Sequence, residues 1–336
     1  MVDLNRANAS ATSTPLPQPP RMSPTPPNAP FFIVGCPRSG TTMFRLMLNE
    51  HSRLCVPRES FFISALMDTL PLTDPLSPHE VDEAIAAIIG HRRWAEFGLS
   101  TASVQKAVRG LSYPRLEEVV SAVFRLACGR KPRWGDKTPA YGLEIRRLAI
   151  VFPGAKFIHL VRDCRDVCRS MHDAGWHGKN WNRLAAFWRD RVAKGILDGR
   201  ALGPDRYCEV RYEDLVLDPA ETLSRTLAFL GEPMEDSVHS FHERAANQLT
   251  AGDHRLHAKT MRAPSAADVE RWRHELVGLQ VAAIEFVAGR IMTQAGQRRH
   301  FRGMRRALGI PAWAAMWAAE WSRPARRRLG WHLPHR

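Results

Sequence analysis

Residues 31–42 read FFIVGCPRSGTT, and the run changes character twice. Phe31-Phe32-Ile33-Val34 is an unbroken apolar segment, which suits a short strand covered on both faces. Gly35 and Gly40 bracket a loop whose backbone can turn sharply and approach a ligand. Thr41 and Thr42 then open TTMFRLMLNEH, where Met43, Leu46 and Met47 share one helical face. A strand, a Gly-bounded loop and a helix start make an anion site, because free amides and the helix dipole aim at one point. Pro37, Arg38, Ser39, Gly40, Thr41 and Thr42 are the candidate phosphate contacts. The spacing from Gly35 to Gly40 is that of a P-loop, but Thr41 stands where a nucleotide hydrolase carries Lys. The cation sits inside the loop instead, as Arg38. A Gly-bounded turn with no ligand is the alternative.

The segments that follow repeat the rhythm of strand and helix. Leu54-Cys55-Val56 is a short strand, and Pro57-Arg58-Glu59-Ser60 leads from it into the helix FFISALMDTL. Glu59 therefore lies at the ligand-bearing end of an open α/β sheet; a charge favoured by the helix dipole is the other reading. Residues 71–130 are helical in pattern without strands, an insertion over the sheet of the kind that shapes a substrate pocket. In RWGDKTPAY, Trp134 and Gly135 end a third strand, Lys137 follows at its mouth and Pro139 starts the next helix. A solvated lysine is the alternative there. Lys156 to Val161, KFIHLV, is a clear strand that runs into RDCRDVCRSMHDAGW. Asp163 caps that helix, and Arg162 and Ser170 can hold a second phosphate or form a surface ion-pair network.

The long helix NWNRLAAFWRDRVAKGILD turns Trp181, Leu184, Phe187 and Trp188 inward. Tyr207 to Arg211 is a fifth strand, followed by a helix from Pro219 to Leu230 that Gly231 closes. Further helices are expected over 234–247 and from about Ser265. Five short buried strands alternating with helices predict an α/β fold: a P-loop-like, doubly wound, mostly parallel five-stranded sheet with helices on both faces.

Composition sets bounds on this reading. The chain has 336 residues with a formal net charge of +14. Residues 297–336 hold ten Arg, no Lys and a single acidic residue, Glu320, so most of the excess charge sits in that extension and the body is only mildly basic. A nucleic-acid-binding body is thereby excluded. Residues 1–30 are rich in Pro, Ser, Thr and Asn and are expected to be disordered, without the apolar core of a secretory signal. Six scattered Cys contain no C-x-x-C pair; Cys164 and Cys168 read as core, and a reducing cytoplasm fits. No segment has the length of a transmembrane helix. Trp313, Trp317 and Trp321 beside Arg323, Arg326, Arg327 and Arg328 would suit peripheral contact with an anionic membrane, or packing on the body. The domain plan is thus a 1–30 tail, a 31–295 domain carrying the insertion, and a basic, Trp-rich 296–336 extension.

Four of these stretches together resemble the sulfotransferases that use 3'-phosphoadenosine 5'-phosphosulfate (PAPS). GCPRSGTT is similar to their 5'-phosphosulfate loop, and LVRDCRDVCRS to their 3'-phosphate motif, with Arg162 and Ser170 at the family's spacing. Pro57-Arg58-Glu59 falls where tyrosylprotein sulfotransferases carry their catalytic Glu. VRYEDLVLDP resembles the segment whose tyrosine, here Tyr212, lies near the nucleotide. GDKTP puts Lys137 near the family's lysine facing the transferred group, and Arg262, with Lys259 as competitor, matches a basic loop residue near the nucleotide. The resemblance covers residues 31–290 and is closest to the branch with a Glu base, whose eukaryotic members carry a Golgi membrane anchor.

The resemblance implies sulfuryl transfer from PAPS to a hydroxyl of a glycan, glycolipid or peptide tyrosine. Glu59 would be general base, with His51 and His177 next in line; Lys137 and Arg38 would neutralise charge. No metal is expected for transfer of a monoanionic group. A P-loop kinase would need a Lys after Gly40 and a Mg-holding acid. A nucleotide-binding scaffold would leave Glu59, Lys137 and the Arg162/Ser170 pair unexplained.

Overall fold

The computed structural model of the chain describes residues 28–248 and 261–301, together with Ala314. The expectations for residues 1–27, for Lys259 and for the tail carrying Trp313, Trp317 and Trp321 lie outside the described residues. Five strands form one sheet: β1 (Phe31–Gly35), β2 (Leu54–Cys55), β3 (Arg133–Lys137), β4 (Lys156–Val161) and β5 (Tyr207–Arg211). Their order is β2-β3-β1-β4-β5, and every pairing is parallel. The chain fills one side of β1 first and then the other. The crevice at the carboxyl ends of the strands beside β1 is where such a sheet binds ligands.

Strand alternation sends the first apolar run to both faces. Phe32 and Val34 pack with Phe62, Phe124, Trp134, Phe152 and Phe157 on one face. Phe31 and Ile33 pack with Met43, Leu46, Leu223, Leu227 and Phe241 on the other. Each such buried side chain contributes about 1.5–3 kcal/mol relative to exposure, so the sheet cannot slip register without losing both layers.

The helices needed below are α1 (Thr41–Asn49), α2 (Phe62–Thr69), α3 (Pro78–Ile89), α4 (Thr101–Arg109), α5 (Leu116–Cys128), α6 (Ile145–Val151), α7 (Cys164–Asp173) and α8 (Trp181–Arg200). Helices α3 to α5 are the expected insertion. Val81, Ile85, Val104, Val120 and Phe124 tie it to the face carrying Phe32. A third cluster joins α7 and α8 to the last described helix, Gly278–Gln294, through Val167, Leu184, Trp188 and Ile284. Among the described residues no helix is long and apolar enough to cross a membrane.

Several boundaries differ from the sequence reading. The third strand runs to Lys137, so this lysine is part of the sheet. Ala29 is buried and its carbonyl accepts from Arg133 Nε at 2.7 Å, so the ordered body begins before residue 31. At the other end Gln297 is buried and bonded to the body, beyond the expected limit at 295. The helix expected from Ser265 is two pieces: a turn at Ala266–Asp268 and a short helix at Trp272–Glu275. Val269 between them is extended, and Asp166 accepts from the Trp272 amide at 3.0 Å. The region 234–247 likewise opens with a tight turn at Asp236–Ser240 before the helix Phe241–Gln248. Cys55 and Cys128 form a disulfide between β2 and α5, a pairing that the scattered cysteines did not suggest. The two are 73 residues apart, so only the tertiary fold makes them neighbours.

Candidate active site

The loop between β1 and α1 keeps the backbone that its glycines imply. Gly40 has φ +92°, and a Cβ on it would come within 2.4 Å of the Tyr212 ring, so only glycine fits. No side chain caps the start of α1, which leaves the first-turn amides facing the crevice. Arg38 itself adopts φ +71°. That left-handed backbone carries its side chain across to α7, where Nε donates to Ser170 Oγ at 3.1 Å. Arg38 and Ser170, 132 residues apart, are thus one unit.

Arg162, at the end of β4, lies beside this unit. Its guanidinium stacks over the Tyr212 ring at 4.1 Å and donates to the carbonyls of Arg38 at 3.4 Å and Asp268 at 3.0 Å. Burial lowers the Arg38 pKa, and the nearby Arg162 and Arg169 lower it further. Ser39 Oγ and Arg162 Nε are buried without a hydrogen-bond partner among the described residues. Convergent guanidiniums, unspent buried donors and an uncapped helix start fit a polyanion such as the phosphates of PAPS. Arg262 lies one step away, exposed, with a 2.6 Å bond to Asp268.

Glu59, Lys137 and Thr42 gather on the other side of the loop. Lys137 is buried; its Nζ contacts Glu59 Oε1 and donates to Thr42 Oγ1 at 3.3 Å. The second Glu59 oxygen accepts from Arg93 at 2.9 Å. Burial pushes the Glu59 carboxyl up, but Lys137 and Arg93 outweigh it and hold the group below the usual carboxylate range. Burial also lowers the Lys137 pKa, against the opposing pull of Glu59. On the opposite side of β3, burial raises the Asp136 carboxyl to about 7. A carboxylate, a desolvated lysine and a hydroxyl beside an anion loop are suited to deprotonating an attacking group and offsetting charge on a leaving oxygen.

The match of a family model, described as the sulfotransferase family, extends over residues 30–236, more than half of the chain. The chain belongs to the sulfotransferase family. Among curated sulfotransferases, the protein-tyrosine sulfotransferase of Drosophila melanogaster is 28% identical over 222 residues, 65% of this chain and 40% of that protein. The omega-hydroxy-beta-dihydromenaquinone-9 sulfotransferase of Mycobacterium tuberculosis is 38% identical over 108 residues, 28% of each chain. This chain spans between 31% and 52% of the length of the first curated relatives it matches. The sulfotransferase domain of the Synechococcus PCC 7002 olefin synthase shares the fold, with TM-score 0.59 and 23% identity over 85% of this chain and 99% of that one.

Within this sulfotransferase fold the expected site residues fall in two groups. Pro37 to Thr42, Arg162, Ser170, Tyr212 and Arg262 surround the loop, while Glu59 and Lys137 stand beside Thr42. His51 is far from them. It is fully buried past the end of α1, with Nε2 2.9 Å from the Pro233 carbonyl. His177 packs at a tilt against Phe187, ring centroids 3.9 Å apart. Four residues escaped the sequence reading. Arg93 of the insertion reaches Glu59. Asp268 joins Arg162 to Arg262. Gln297 donates to the Arg162 carbonyl at 3.0 Å and accepts from the Cys164 amide at 3.1 Å. Trp176 lies under Arg38, 5.5 Å from its guanidinium carbon. No local motif marks them; the arginine pair in HRRW was the only available signal for Arg93.

Proposed function

We propose that the protein transfers a sulfuryl group from PAPS to an acceptor hydroxyl, with Glu59 as the general base. The observation that carries this reading is the contact of Lys137 with both Glu59 and Thr42, which couples a base to the anion loop. PAPS supplies the activated sulfuryl group on a phosphate leaving group. Ser39, Thr41, Thr42 and Arg38 hold its 5' side, and Arg162 with Ser170 its 3'-phosphate. Lys137 stands where it can turn from Glu59 toward the bridging oxygen. Glu59 Oε1, once released by Lys137, accepts the acceptor's proton, a contribution of about 10²–10⁴-fold.

Of glycan, glycolipid and peptide-tyrosine acceptors, the tyrosine is favoured. A carboxylate held below its usual range is better matched to a phenol, with pKa about 10, than to an aliphatic alcohol. The name of the Drosophila relative points the same way. The test is turnover of radiolabelled PAPS with a tyrosine peptide, a glycan and a glycolipid, alongside calorimetry with adenosine 3',5'-bisphosphate (PAP) and AMP without magnesium. The reading expects labelled peptide and a preference for PAP of tenfold or more, as for a lost charge-assisted contact of about 1.5–3 kcal/mol. Equal affinity for the two nucleotides would remove the 3'-phosphate assignment.

A further inference from the structure

Arg93 belongs to the insertion, after α3, and no motif of the donor site includes it. Its guanidinium is fully committed on one side. Nε donates to Glu96 Oε1 at 2.9 Å and Nη2 to Glu96 Oε2 at 2.8 Å, a two-pronged fork. Glu96 also accepts from Arg58 Nε at 2.9 Å, which fixes the fork to the loop that carries Glu59. The flat face of Arg93 lies over the Phe61 ring at 5.2 Å. One nitrogen is left, Nη1, and it donates to Glu59 Oε2 at 2.9 Å.

The two oxygens of Glu59 therefore have different partners and different prospects. Oε1 faces Lys137, which also contacts Thr42 of the anion loop. Oε2 faces Arg93, whose guanidinium partners among the described residues are Glu59, Glu96 and Phe61. A base must have one oxygen open and the other fixed, and a third group that orients the base is a recurring solution. We propose that Arg93 is the positioning residue of the acceptor site: it clamps Glu59 Oε2, keeps the carboxyl ionised and leaves Oε1 to the acceptor once Lys137 turns to the donor. This rests on the reading of Glu59 as the base.

The charges around Glu59 come from every element packed against it. Lys137 and Asp136 belong to β3, Arg45 to α1, Arg58 to the Glu59 loop, and Arg93 and Glu96 to the insertion. Of the two cations that oppose the burial of Glu59, Arg93 alone is independent of the donor loop. Removing its charge leaves Lys137 as the remaining counter-ion, so the Glu59 midpoint must rise.

The direct test needs no acceptor. Protein labelled at the glutamate carboxyl carbon is titrated by NMR with PAP bound, the Glu59 signal being assigned by its loss in Glu59→Gln. Arg93→Gln is expected to raise the Glu59 midpoint by about one pH unit, a typical effect of losing an opposite charge at this range. Arg93→Lys keeps the charge but cannot bridge Glu59 and Glu96 as a fork. It is expected to hold the midpoint near wild type while turnover of radiolabelled PAPS to water falls about tenfold, with PAP affinity unchanged. A purely structural arginine would lower thermal stability in both variants and leave turnover in Arg93→Lys at the wild-type level. The proposal is overturned by a wild-type midpoint in Arg93→Gln, or by wild-type turnover in Arg93→Lys, which can be read even if Arg93→Gln does not fold. Full turnover in Glu59→Gln would instead overturn the assignment of the base, so the two failures are distinguishable.

Discussion

The site has two halves of different origin. The proposed donor half is built from the ends of β1 and β4, from α7 and from the start of the helix after β5, and its contacts join these elements: Arg38 to Ser170, Arg162 to Tyr212, Gly40 to Tyr212. The proposed acceptor half hangs on the loop after β2 and on the insertion, with Arg58, Glu59, Arg93 and Glu96 in one ion-pair chain. The first half has side chains set by the sheet. The second has charges that set one another. A half set by the sheet suits a fixed polyanion, whereas a charge chain can rearrange in the step proposed for Lys137.

The largest effect expected from this division is a clean split between turnover and binding. Glu59→Gln preserves shape but removes an effective base. Turnover should fall at least a hundredfold, about 2.7 kcal/mol in the barrier, while calorimetry gives PAP affinity close to wild type. A loss smaller than tenfold would leave Glu59 as a helix-start charge, and a parallel loss of PAP affinity would erase the boundary between the halves.

Arg162→Ala tests the other side. It removes the stacked guanidinium from Tyr212 and the contacts to Arg38 and Asp268. PAP binding should weaken by about 1.5–3 kcal/mol, and AMP binding far less. Comparable weakening for both nucleotides would show that Arg162 serves the loop's architecture instead of the 3'-phosphate.

The two halves also differ in how readily they could be read from the chain. Glycines, Arg38 and both threonines of the loop sit within a few residues, because a strand end and a helix start are adjacent in sequence as in space. Arg162 and Ser170 likewise lie close in sequence, the first at the end of β4 and the second on α7, which follows it. β1 and β4 were legible because each contains an apolar run buried on both faces; β3, RWGDK, and the half-exposed edge strand β5 were read from their place between helices. Arg93, Asp268 and Gln297 were not legible, because each meets its partner through tertiary packing across 34, 106 and 135 residues. The Cys55–Cys128 bond has the same character. Helix breaks such as Val269 escaped too, since Asp166 fixes the Trp272 amide from a distant element.

A third expectation separates the halves by pH. His159 in β4 is buried, with Nδ1 2.7 Å from Tyr207 Oη, and Gly195 leaves room for its ring. Burial lowers its pKa to about 4 from 6.5. Above 6.5 it is neutral in both folded and unfolded chains. As pH falls from about 6.5 toward 4 the unfolded chain takes a proton that the native one refuses, so stability falls by up to about 1.4 kcal/mol per unit. His159→Phe should flatten that slope of unfolding free energy against pH by close to one proton, with the pH dependence of turnover unmoved. An unchanged slope would place the acid sensitivity elsewhere.

The smallest effect is expected at the seam. Thr42 belongs to the donor loop, yet its hydroxyl accepts from Lys137, which faces Glu59. Thr42→Val keeps the shape and removes that acceptor. At 3.3 Å the bond is long, so a loss at the lower end of about 0.5–1.5 kcal/mol is expected, a severalfold fall in turnover. The informative quantity is coupling. Thr42→Val combined with Lys137→Met should cost less than the sum of the two, because they remove one contact from both ends. Combined with Arg162→Ala it should be additive within about 0.5 kcal/mol, because the two side chains share no partner. Strong coupling between Thr42 and Arg162 would mean that donor and acceptor halves respond as one body, and the difference between a fixed half and an adjustable half would have to be abandoned.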